Sequence, residues 1–173
     1  MKKIMETSFF LLLVGLISLY TKSVVSREVS ERVSIYNIGN GTLIYTFSSG
    51  PNTRVFADYA YNLRGSWANN SNWDIIYIND GTMLFKNVYT GLCLQHYWKG
   101  YQVIQNNCDK NNQKQHIKPV LSSTGAIKLK FSNYNYCLYT YAGDSYFYIY
   151  SDTCRNTTAY LWSIIPQLRG ASD

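Results

Sequence analysis

Three times along this 173-residue chain the same series of short segments comes round: an apolar strand ending in a turn, a second apolar pair, and a closing segment. The openings are Ile35, Asn37, Ile38 and Gly41 in the first copy and Phe85, Asn87, Val88 and Gly91 in the second, and residues 129–137 supply the third with a one-residue gap. The second pairs are Leu43-Ile44, Cys93-Leu94 and Cys137-Leu138. The closings align as Trp73-Asp74-Ile75, Gln115-His116-Ile117 and Trp162-Ser163-Ile164, and Pro119 and Pro166 follow two of them. Trp73 to Gln115 is 42 residues and Gln115 to Trp162 is 47, so one copy has room for four short strands and their turns. A unit this small buries its apolar face only against its neighbours.

Composition agrees with strands. The chain carries 17 Tyr, 7 Phe and 4 Trp, residue types that fit a pleated, half-buried surface. Asn and Gly fall where turns are needed. The sequence therefore predicts an all-β fold, a β-trefoil of three pseudo-repeats of about 42–47 residues, at roughly 33–75, 76–117 and 118–166. Three such units close around a shared axis, pool their core and leave little open sheet edge. Alternation and repeat position assign Ile35, Ile38, Leu43, Val88, Leu94, Ile117, Leu138, Trp162 and Ile164 to the core. A β-sandwich of short strands is the competing architecture, but it gives no reason for a threefold recurrence of one closing segment.

The N-terminus reads as a signal peptide over residues 1–26. Lys2 and Lys3 precede an apolar run at residues 9–19, and Ser23 and Ser26 offer cleavage points. The run is short of the 20 or so residues that span a bilayer. Residues 27–173 then form a single exported domain. The whole chain has a formal charge of +6, part of it in the leader, and the remaining basic residues are scattered, which does not suit a nucleic-acid footprint. Four cysteines in an exported chain imply two disulfides. Cys93 and Cys108 are 15 apart and Cys137 and Cys154 are 17 apart, each pair at the same place in its own repeat, which favours local pairing. A zinc site would need closer spacing within a pair.

The Cys-Leu strand, hairpin, second cysteine and closing segment of the second and third copies resemble ricin-type lectin repeats. More narrowly, Ser122-Ser123-Thr124-Gly125-Ala126-Ile127-Lys128-Leu129-Lys130 and Leu161-Trp162-Ser163-Ile164-Ile165-Pro166 resemble segments of the A and C subunits of cytolethal distending toxins. Small size and the want of a lipobox cysteine are more similar to the C subunit, with A the second choice. The resemblance implies a non-catalytic member of a heterotrimer. In that assembly the A-like and C-like chains bind the host cell surface and deliver a B-like, DNase I-like nuclease. It also implies export from a Gram-negative bacterium through the periplasm, with no cofactor and no direct contact to nucleic acid.

Active ricin-type repeats place an acidic residue just after the Cys-Leu pair and close on Gln-x-Trp. Here Gln95 and Tyr139 follow the Cys-Leu pairs, and the closings align as Ser71-Asn72-Trp73, Gln113-Lys114-Gln115 and Tyr160-Leu161-Trp162. A sugar pocket in the usual place is therefore not expected. Aromatic hairpins are the better candidates for a host glycan, lipid or partner surface: His96, Tyr97, Trp98 and Tyr101 around a Lys99-Gly100 turn, and Tyr139 and Tyr141 in a second hairpin turning at residues 142–145. Leu94 to Lys99 also fits the loose Leu-Tyr-Lys pattern proposed for sterol contact, a pattern common by chance. No constellation of His and carboxylates suggests catalysis, and His116 sits where a packed structural histidine belongs. A free-standing secreted lectin is the alternative reading and a trefoil protease inhibitor a third.

Overall fold

The structure, a computed structural model, describes residues 31–78, 80–142 and 147–169. The expected signal peptide and the 143–145 part of the second hairpin turn lie outside the described residues. Fourteen strands make up nearly all of the ordered elements. Twelve of them fall into three sets of four. The first set is β1 (Arg32–Asn37), β2 (Thr42–Tyr45), β4 (Phe56–Tyr59) and β5 (Asn72–Tyr77), with the short β3 (Thr53–Arg54) inserted. The second is β6 (Met83–Asn87), β7 (Cys93–Gln95), β9 (Ile104–Asn106) and β10 (Ile117–Leu121), with the short β8 (Tyr101–Gln102). The third is β11 (Ile127–Phe131), β12 (Tyr136–Ala142), β13 (Phe147–Thr153) and β14 (Trp162–Pro166).

First and last strands of the three sets pair in a ring. β1 pairs β5 and β14, β5 pairs β6, β6 pairs β10, β10 pairs β11, and β11 pairs β14, all antiparallel. The ring is a closed six-stranded barrel. The middle strands form three hairpins, β2–β4, β7–β9 and β12–β13, that cap one end of it. This is a β-trefoil, and its core is layered by threefold position. Ile35, Phe85 and Leu129 form one layer, Ile44, Leu94 and Leu138 another, Val55, Val103 and Ile149 a third, and Trp73, Ile117 and Trp162 a fourth, each of these twelve at most 1% exposed. Sharing one core among three units is what makes each short, twisted unit stable.

The strand registers correct the sequence alignment in two places. Val33 pairs with Trp73, Met83 with Ile117 and Ile127 with Trp162. Ile117, not Gln115, therefore occupies the place of the two tryptophans, and the spacings become 44 and 45 residues. Pro119 and Pro166 are then not equivalent, Pro119 falling at the place of Ile164. The third opening also needs no gap, since Tyr36–Leu43, Lys86–Cys93 and Lys130–Cys137 are matching pairs.

Three residues assigned to the core lie nearer the surface. Ile38 is 44% exposed, Val88 is half-buried, and Ile164 is partly buried against the core. Ile38 and Val88 occupy the turn between first and second strands, where their backbone N–H groups bond Leu161 O at 2.9 Å and Asn72 O at 2.9 Å. The preceding Asn37 and Asn87 are the buried members. The Asn37 Nδ2 group donates to Ala159 O (2.9 Å) and its Oδ1 accepts from Gly39 N (2.9 Å), while Asn87 does the same with Asn70 O and Tyr89 N. An asparagine with this bonding pattern bends the chain out of the sheet.

Candidate functional site

Both disulfides are local, Cys93–Cys108 and Cys137–Cys154, and each ties the second strand of its repeat to the loop before the closing strand. In the first repeat Leu43 stands where Cys93 and Cys137 do, and it shares a small buried cluster with Tyr45 and Leu63. Leu63 lies in the loop that corresponds to those of Cys108 and Cys154. Apolar packing thus replaces the covalent tie.

The positions that carry the acidic residue and the glutamine in active ricin-type repeats are turned to packing. Gln115 is the glutamine of the second closing, now Gln115-His116-Ile117, and it is fully buried. Its Nε2 donates to Gln95 Oε1 (3.1 Å) and Asn107 O (2.8 Å), and its Oε1 accepts from Asp109 N (3.0 Å). In the third repeat the equivalent pair is Tyr139 and Tyr160, stacked with centroids 4.8 Å apart. Burial raises the pKa of both phenols above the usual range. The corresponding first-repeat residues are Tyr45 and Ser71, both buried. The three repeats fill these positions with different chemistry: an amide pair, a ring stack, and in the first a Tyr45 ring beside Phe56 and a Ser71 hydroxyl that donates to Ala68 O at 2.9 Å.

Of the aromatic candidates, Tyr97 (47%), Trp98 (60%), Tyr101 (61%) and Tyr141 (61%) are exposed. Tyr139 is half-buried in its stack. His96 departs from expectation, being 4% exposed. It directly follows β7, faces inward, shares a hydrogen bond between Nδ1 and Ser151 Oγ (2.7 Å) and packs against the rings of Phe131, Tyr134 and Tyr136. Burial depresses its pKa, and the Lys114 charge adds to this. His116 is likewise buried, with Nε2 on Lys110 O at 2.8 Å and Nδ1 3.6 Å from the Asp80 carboxylate.

The two aromatic hairpins, separate in sequence, meet in space. β8 pairs with β13, setting Gln102 opposite Tyr150 and Tyr101 opposite Ser151. Rings then follow one another in a band, from Trp98 through Tyr97 to Tyr101, and, from β13 across to the β2–β4 hairpin, from Tyr150 to Tyr148, Phe56, Phe47 and Tyr45. Lys114 Nζ lies 5.4 Å over the Trp98 ring, a cation–π contact that steadies the exposed indole.

Between the hairpins the band encloses an open groove of about 940 Å³, lined by Arg54, Tyr97, Tyr101, Gln102, Tyr148 and Tyr150 among others. A second, smaller hollow of about 380 Å³ lies at the end of the band, between Phe47, Asp58, Asn62 and Trp67. Arg54, Gln102, Phe47 and Trp67 were not singled out by the sequence. The signal was positional: Arg54 and Gln102 each precede a core valine of one threefold layer. Among the described residues no cluster of three or more His, Cys, Asp or Glu side chains could hold a metal ion, and no helix is long and apolar enough to cross a membrane.

A crystal structure of the cytolethal distending toxin of Actinobacillus actinomycetemcomitans contains a chain that matches with a TM-score of 0.73 at 17% identity, over 83% of this chain and 95% of that one. The toxin of Haemophilus ducreyi gives 0.69 at 16% identity, over 83% and 88%. The designed threefold-symmetric protein ThreeFoil also gives 0.69, at 15% identity over 78% and 97%. At these identities the likeness shows the fold alone. No protein with curated function matches by sequence. The family model described as "Cytolethal distending toxin A/C domain" matches residues 32–172, and the chain therefore belongs to the cytolethal distending toxin A/C domain family.

Proposed function

We infer that this protein is a C-like, non-catalytic subunit of a cytolethal distending toxin. In this reading it assembles with an A-like trefoil chain and a B-like, DNase I-like nuclease, binds the host cell surface with the A-like chain, and helps deliver the nuclease. The family match over residues 32–172 carries the reading. Two structural features support it. Cys93–Cys108 and Cys137–Cys154 pair locally at the same place in their repeats, as in the ricin-type repeats that the chain resembles. Exposed Trp98, Tyr97 and Tyr101 form a rigid aromatic surface of the kind that anchors partners and glycans. In the same reading a signal peptide over residues 1–26 directs export through the periplasm of a Gram-negative cell, and the target is a host cell-surface glycan or lipid.

Co-expression with the genes beside its own, followed by pull-down through this chain, tests the assembly. Recovery of a DNase I-like protein and a second trefoil in equal amounts is the expected result. If the chain purifies alone and binds glycans on an array, it is a free-standing lectin and the subunit reading falls.

A further inference from the structure

We propose that the groove between the three hairpins is a binding site for a carboxylated sugar, with Arg54 as the carboxylate's partner. The trefoil layer formed by Val55, Val103 and Ile149 is the floor beneath the groove, fully buried and knit by Val55 N to Val103 O (3.0 Å) and Val103 N to Ile149 O (2.7 Å). In a strand, neighbouring residues face opposite ways. The residues one step before the floor are Arg54, Gln102 and Tyr148, and all three line the groove. Pseudo-threefold symmetry thus brings a cation, an amide and an aromatic ring around one axis, one from each repeat. A carboxylated sugar has a use for each: an anion, hydroxyls, and an apolar ring face.

The backbone that presents these groups is held from several sides. Arg54 pairs with Ile104, Gln102 with Tyr150, and Tyr148 with Phe56, so each hairpin is hydrogen-bonded to the next. Asn52, at the rim, has φ +59°. It is fixed there by its own N–H on Gln105 O (2.8 Å) and by Asn106 Nδ2 on its Oδ1 (3.1 Å). A left-handed asparagine held this way sets the direction in which Arg54 leaves the turn.

Charge chooses among occupants. No described residue pairs with the Arg54 guanidinium, and no acidic side chain is among the groove's described lining residues. Arg54 is also the one Lys or Arg among them. A single fixed cation suits a ligand with one carboxylate rather than a polysulfated chain, and the groove's volume is in the range of sites for small ligands, several hundred Å³. That such a sugar comes from a host surface rests on the subunit reading above. The chemistry of the groove does not.

The test uses the purified full chain with 3′-sialyllactose, lactose, and an unsulfated uronic acid disaccharide, read by saturation-transfer NMR and titration calorimetry. Binding of sialyllactose but not lactose is expected, with loss of affinity of about tenfold or more in Arg54→Gln, partial recovery in Arg54→Lys, and loss in Tyr148→Ala. Arg54 is exposed, so its two variants keep the fold, and near-UV circular dichroism checks this for them and for the half-buried Tyr148→Ala. If the uronic acid binds in place of sialyllactose, the carboxylate assignment stands and the sugar's source changes. Equal binding of lactose, an unchanged Arg54→Gln, or no saturation transfer at millimolar ligand overturns the site. In that last case a chain that still assembles with its nuclease keeps the subunit reading intact, and a chain that binds the sugar but assembles with nothing keeps only the site.

Discussion

Trp162 and Leu138 are joined across the third repeat by an indole N–H donating to a main-chain carbonyl at 3.0 Å, and Trp73 makes the same bond to Ile44 at 3.2 Å in the first. Ile117 occupies the equivalent place in the second repeat with no donor to offer. Tryptophan at the closing position thus contributes both packing and a buried hydrogen bond. Trp162→Phe keeps most of the packing but strands the Leu138 carbonyl, for a cost of about 1–3 kcal/mol. Trp162→Ala costs about 3–5 kcal/mol, and Ile117→Val only about 0.5–1.5 kcal/mol. Urea unfolding midpoints rank the three, and a Trp162→Phe variant as stable as the parent would remove the hydrogen bond from the account.

A second prediction follows from the uneven staples. Cys93–Cys108 and Cys137–Cys154 close loops of 15 and 17 residues, each stabilising by roughly 3 kcal/mol in the chain-entropy treatment. The first repeat depends instead on Leu43, Tyr45 and Leu63. Cys93→Ser with Cys108→Ser should therefore lower stability by that amount and reduce its sensitivity to dithiothreitol. Leu63→Ala should cost about 2–5 kcal/mol with sensitivity to dithiothreitol unchanged. Unfolding curves with and without reductant separate the two cases.

The trefoil and its disulfides were legible because both follow from recurrence: Leu43-Ile44, Cys93-Leu94 and Cys137-Leu138 mark the same strand three times. What misled was side-chain identity taken in place of register. Gln115-His116-Ile117 matches Trp73-Asp74-Ile75 and Trp162-Ser163-Ile164 by its third-position isoleucine, and only strand pairing shows that Ile117 fills the place of the tryptophans. Ile38 and Val88 are apolar residues at turn positions fixed by Asn37 and Asn87, so hydrophobicity alone placed them inside. The aromatic hairpins were visible one at a time, but the groove was not. Arg54, Gln102 and Tyr148 are 48 and 46 residues apart, and the symmetry of the closed fold is what brings them together.

Gly39 gives a test of how closely the first and third repeats abut. A Cβ at this position would lie 2.7 Å from the main-chain carbon and oxygen of Thr158, in the short turn before Trp162. Backbone at that distance has no rotamer to give. Gly39→Ala should destabilise by about 1–3 kcal/mol through overpacking. Gly125→Ala, where φ is +84° and nothing lies within 4 Å, reports backbone strain without a clash and should cost about 1 kcal/mol. Thermal melts of the two variants at one pH distinguish contact from conformation, and equal shifts would mean that Thr158 yields.

His96 makes stability depend on pH. Burial first, and the Lys114 charge second, hold its pKa below the ordinary value of 6.5. The unfolded chain then binds a proton near pH 6.5 that the folded chain still refuses, so stability is fully present above that pH. It falls as the pH drops from 6.5 toward the lower folded value, and the His96 contribution levels off beneath it. Asp80, held below the usual carboxylate range by hydrogen bonds from Thr82, titrates under this window. Its exposed carboxylate adds nothing to the slope there. His96→Gln keeps a polar group near Ser151 Oγ without the titration. Urea midpoints between pH 7.5 and 5 should decline for the parent and stay flatter for the variant. Parallel declines would assign the acid sensitivity to other groups and leave His96 with a packing role alone.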